Sequence, residues 1–115
     1  MANTFKVVTK AGVTSADVIY TVAGSTTTVV LGLMLGNTTS SSINATVTLG
    51  TDTSGRAGNN DEANQAVELI TSTPIPGNSS LELLAGNKVV METTDTLSVT
   101  GSGATDVVLS IMEIT

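Results

Sequence analysis

The clearest pattern in the chain is alternation. From Ile43 to Leu49, "INATVTL", the apolar residues Ile43, Ala45, Val47 and Leu49 interleave with Asn44, Thr46 and Thr48. A period of two places these sets on opposite faces of a strand, one buried and one wet. The same period marks "TFKVVT" (4–9), "DVIYTVA" (17–23), "TLSVT" (96–100) and "DVVLSIMEI" (106–114) as strands. In 17–23 it puts Val18, Tyr20 and Val22 on one face and Ile19 and Thr21 on the other. "TTTVVLGLMLGN", Thr26–Asn37, is apolar almost throughout. It reads as a strand buried on both faces, with Gly32 marking a bulge or a close backbone approach.

The breaks between strands are equally legible. "SLELLAGNKVVME", Ser80–Glu92, reads as a hairpin turning at Gly86-Asn87. Leu81, Leu83, Val89 and Met91 form its inward set, Glu82 and Glu92 its outward set. "QAVELIT" (65–71) rejoins the core through Val67 and Leu69. "TPIPGN" (73–78) ends that strand, because proline cannot donate to a ladder. "GTDTSGRAGNNDEAN", Gly50–Asn64, is a long polar surface loop, with "NDEANQAVELI" (60–70) as an alternative short helix capped by Asn60 or Asp61. The fold class is therefore all-β: an antiparallel, jelly-roll-like β-sandwich of about eight short strands, with turn signals about every 8–12 residues. A single domain is expected over residues 1–115, with an extended N-terminal arm at 1–10.

Composition narrows the function classes. The net charge is −6, and the only basic residues, Lys6, Lys10, Arg56 and Lys88, are scattered. Nucleic acid and anionic membranes are poor partners for such a surface. No apolar stretch is long enough for a membrane helix, and "MANTFKVVTK" lacks the h-region of a secretory signal, so a soluble chain is expected. Histidine and cysteine are absent, which removes the commonest general base, the best nucleophile and thiolate metal sites. No catalytic, cofactor-binding or metal-binding residue is assigned. Serine and threonine read as strand and turn residues, and no spacing pairs a serine with Lys10 or Lys88.

Three motifs come near to chemistry. Asp52–Glu62 offers carboxylates, but Ser54, Arg56 and Ala57 break the EF-hand pattern. A solvated loop is the better reading, with a structural Ca²⁺ left open by ligand type alone. "GSGAT" (101–105) lacks the helix of a phosphate cradle and is a turn. The sequons at Asn37, Asn44 and Asn78 are chance matches in an Asn/Thr-rich chain. Tyr20 and Phe5 are the only aromatic residues, thin provision for stacking on sugars. Few lysines guard the strand edges that a sandwich exposes, which favours an assembly protein over a free monomer.

The blocks "MANTFK", "YTVAGSTTTVVLGLMLGNTTSSSINATVTL", "PIPGNSSLELLAGNKVVMETTDTLSVT" and "DVVLSIMEI" resemble small virion structural proteins of tailed phages, especially phages of cyanobacteria and other aquatic bacteria. The resemblance covers most of the chain and is one of strands and turns, not of a catalytic signature. The insertion "GTDTSGRAGNNDEAN" departs from it. It implies a capsid decoration or cement protein, often trimeric, on the outer surface of the virion, with the major capsid protein and its own copies as partners. Shell contacts are expected from Ala2–Lys10 and the long loop. A neck, tail or fibre protein is the alternative, and a host-surface or carbohydrate-binding module, with a site at Tyr20 or Asp52–Glu62, a further one.

Overall fold

A computed structural model describes residues 2–51, 65–84 and 87–115. Among them lie nine strands: β1 (Asn3–Val13), β2 (Asp17–Thr21), β3 (Thr27–Asn37), β4 (Ile43–Gly50), β5 (Val67–Ile75), β6 (Ser80–Leu83), β7 (Val89–Met91), β8 (Thr96–Gly101) and β9 (Thr105–Ile114). One sheet has the order β1-β9-β3-β6, with β7 also paired to β3; the other has the order β2-β8-β4-β5. Every pairing is antiparallel.

The order is that of one long ribbon folded back on itself. β4 pairs with β5, β3 with β6 and β7, β2 with β8, and β1 with β9. The ribbon then wraps, so that β9 joins β3 and β8 joins β4. With β6 and β7 serving as one broken strand, this is a jelly-roll sandwich. Its aliphatic core includes Val30, Leu33, Leu35, Met91, Leu109 and Ile111 from one sheet. Ile43, Ala45, Val47, Ile75, Leu97 and Val99 face them from the other. β4 follows its alternation as expected: Ile43, Ala45 and Val47 are buried, and Leu49 packs beside them.

Bulges shift the face of neighbouring residues. β3 slips register against β9 between Val30 and Gly32, the place the glycine marks. β2 slips against β8 between Val18 and Tyr20. Val18 is consequently exposed, while Ile19 and Tyr20 both pack on the core. The single face expected for Val18, Tyr20 and Val22 is thus broken by an extra residue.

Three further expectations are corrected. Residues 3–10 are no free arm: they form most of β1, hydrogen-bonded to β9 from Asn3 opposite Ile114 to Lys10 opposite Val107. β5 does not stop before the prolines but runs through Pro74 to buried Ile75. It is an edge strand, where a missing N–H costs no ladder bond. Val67, at its outer end, is exposed rather than core.

The flanks of Ser80–Glu92 do not pair with each other either, contrary to the expected hairpin. β6 pairs with β3 at Leu33–Gly36, and β7 pairs with β3 at Thr28–Val30. They lie end to end along one edge. Leu83 pairs with Leu33 and Val89 with Val30, and Leu84 follows β6 at φ 60°; Gly86 of the expected turn lies outside the described residues. A hairpin would have left half of the β3 ladder unpaired; two short strands in line satisfy it. The inward set was nonetheless right, since Met91 is buried and Leu81, Leu83 and Val89 pack on the core.

Candidate docking surface

Each sheet turns one face to the core and one outward, and the two outward faces differ in chemistry. On the β1-β9-β3-β6/β7 sheet, cross-strand neighbours form rows. Phe5, Met112, Val29 and Val90 make one row across β1, β9, β3 and β7. Thr9, Val108, Met34 and Glu82 make another. Between them lie Val7, Ser110 and Gly32. Residues on one face of neighbouring strands are in lateral contact, so the rows merge into one largely aliphatic surface in which Thr9, Ser110 and Glu82 are set.

Phe5 is 72% exposed, Val7 63% and Val90 59%, and Met34 and Val108 are also open. Soluble monomers seldom expose a contiguous apolar surface of this kind unless something binds it. Its centre is a shallow depression of about 230 Å³ lined by Gly32, Leu33, Met34, Glu82, Leu83, Val108 and Ser110. Gly32 makes the dip, because a Cβ there would meet open space. β3 is therefore not buried on both faces by the described residues; its second face is this one.

The outer face of the β2-β8-β4-β5 sheet is polar. Ser98 faces Thr48, Thr48 faces Glu68, Thr46 faces Thr100, and Asn44 faces Pro74. Val18, opposite Ser98, is its apolar exception. The molecule is thus a two-sided slab, threonine-rich on one side and aliphatic on the other.

Between the sheets, at the margin near β1 and β2, runs a chain of polar side chains. Tyr20 Oη donates to Glu113 Oε2 at 2.5 Å and lies 2.7 Å from Thr28 Oγ1, so the threonine is left to donate to the phenol. Lys6 Nζ lies 2.6 Å from Glu113 Oε1. The Lys6 ammonium, and then the phenol, hold the Glu113 carboxyl below its ordinary range. Burial, and then the bond to Glu113, push the Tyr20 phenol up. Every member is partnered, so this is a clamp between the sheets rather than a site awaiting a substrate. Tyr20 packs on the core with its hydroxyl committed, and offers no open ring for a sugar.

The remaining motifs are placed as follows. Asn37 is buried, and its Nδ2 contacts the carbonyls of Ser41, Ile75 and Pro76, so that sequon's amide is occupied. "GSGAT" is the turn from β8 to β9. Lys10 Nζ faces Asp17 at 3.8 Å. The Asp52–Glu62 loop and the helix start at Asn60 or Asp61 lie outside the described residues, but the alternative helix over 60–70 is overturned at its end, where residues 67–70 belong to strand β5. Among the described residues, no group of acidic side chains is arranged to hold a metal ion.

No family model matches the chain, and no curated protein matches it. A solved chain described by the words "Bacillus endospore appendages form a novel family of disulfide-linked pili" is similar over 99% of this chain and 87% of that one, with 15% identity and a TM-score of 0.48. No function is carried over from it.

Proposed function

We propose that the chain is a non-enzymatic structural protein of a virion, a capsid decoration protein that lays its aliphatic face on the major capsid protein at the outer surface of a phage head. The observation that carries this reading is the two-sided slab. A protein that cements a shell needs one face that leaves water on docking and one that stays wet. It needs no reactive group. Binding only to the assembled shell stabilises that state by mass action. The resemblance to small phage virion proteins supplies the partner; the face supplies the means.

The test is co-sedimentation with expanded shells that lack the protein. Met34→Glu with Val108→Glu should abolish pelleting, while Thr46→Glu on the polar face should pellet like wild type. Full retention by the Met34/Val108 variant, or loss only in the Thr46 variant, refutes the assignment. Copy number per particle separates the alternatives: a shell protein is present in many copies, a neck or tail protein in few.

A further inference from the structure

A sandwich has four sheet edges, and each is an invitation to pair with another strand unless something blunts it. Three are blunted here. β6 and β7 are four and three residues long and pair with separate stretches of β3. β5 carries Pro74, has Ser72 at φ 45°, and slips register twice against β4. β2 has five residues and a bulge. β1 differs: it has eleven residues, no proline, and an unbroken register from Asn3 to Lys10.

The orientation of its backbone can be assigned. Ala2 and Thr115 exchange both of their hydrogen bonds, so the even residues of β1 turn their N–H and C=O toward β9. Gly12 N donates to Asp106 Oδ1 on the same side. The odd residues, Asn3, Phe5, Val7 and Thr9, therefore point theirs to the free edge. The two most exposed large apolar residues, Phe5 and Val7, are on this strand as well.

We propose that β1 is a self-association edge, on which a second copy of this chain pairs its own β1 antiparallel about a two-fold axis at Val7. The inference is independent of the virion reading above. The occupant follows from the inventory of edges: when, among the described residues, one edge alone is open, two copies that pair by edges must both use it, and an isologous contact closes as a dimer.

The lysines fix the register. Centring the axis on Lys6 sets Lys6 against Lys6, and centring it on Val8 sets Lys6 against Lys10; like charges directly opposite are unfavourable. Centring on Val7 sets Lys6 against Val8 and Lys10 against Thr4. It pairs Val7 with Val7, Phe5 with Thr9 and Asn3 with Ala11 through the free odd-numbered groups. Lys6 and Lys10 are already matched within the chain by Glu113 and Asp17. The dimer joins the two aliphatic faces into one, with Phe5 and Val7 at its middle.

The chain has no cysteine, so a single introduced one reports cleanly. Opposed Cα atoms in a hydrogen-bonded antiparallel pair lie about 5.5 Å apart, within disulfide reach. Val7→Cys should be driven to a covalent dimer by diamide, and Thr9→Cys, which faces residue 5, should not. By native mass spectrometry and light scattering, wild type should be dimeric. Val7→Lys should weaken association about tenfold or more while keeping the wild-type circular dichroism. A wild type that is monomeric or trimeric, or Thr9→Cys cross-linking as fast as Val7→Cys, overturns the proposal.

Discussion

Tyr20 and Glu113 tie the two layers of the sandwich together. The phenol of β2 donates to the carboxylate of β9 at 2.5 Å, between strands that share no backbone hydrogen bond. Lys6 holds the other carboxylate oxygen from β1, so three strands from two sheets meet at one acidic group.

This clamp gives stability a dependence on pH at both ends. Because the Glu113 carboxyl is held below its ordinary range, its contribution is complete above the unfolded value, about 4.3, and is lost as pH falls through the folded one. Because the Tyr20 phenol is held above its ordinary value, its contribution is complete below about pH 10 and is lost as pH rises further. Thermal melts across this range should fall at both extremes. Glu113→Gln should flatten the acid limb. Tyr20→Phe should flatten the alkaline limb and cost about 1 kcal/mol at neutral pH. Tyr20 is the only tyrosine, so its phenolate absorbance reports the alkaline step directly.

Asn37 is the polar hub at the end of β3. Its Nδ2 reaches Ser41, Ile75 and Pro76 carbonyls, and its Oδ1 accepts from Thr39 N and Thr39 Oγ1. Asn37→Ala should cost about 3 kcal/mol in urea unfolding, since several buried groups lose their partner together. Asn37→Asp should cost more, because a carboxylate would then face three carbonyls. Its deficit should shrink as pH falls and the acid regains a proton to donate.

Thr94 sits at φ 72° in the exposed turn between β7 and β8. A β-branched residue pays for the left-handed region, and glycine does not. Thr94→Gly should therefore stabilise the protein, by about 0.5–1 kcal/mol after the entropy cost of glycine is allowed for. A rise in urea midpoint with an unchanged slope is the expected result.

How far the sequence could be read depended on whether a feature was local. β4 was legible because its alternation is unbroken and one face is covered. The bulge at Gly32 was legible because a glycine stands there. The bulge in β2 was not, since Ile19 looks like any strand residue. Ser80–Glu92 was misread because its true partner, β3, lies far along the chain, and two short apolar runs around a turn satisfy a local hairpin rule equally well. The open aliphatic face had a signal that pointed the wrong way. "VVLGLML" is apolar on both faces, which normally means two covered faces, but a two-layer sandwich can cover only one. In such a fold, a doubly apolar strand is evidence of an open face.

The pairing of β1 with β9 also fixes a schedule. Asn3 lies against Ile114, so the first strand made waits for the last. Until then β1 lacks its hydrogen-bonded partner, and β3 lacks the strand that separates it from β1. Closing so wide a loop comes before any reward from contacts, which places folding in the millisecond-to-second regime of all-β domains. A nascent chain spends that interval with aliphatic strands bare, and is exposed to aggregation until β1 and β9 pair.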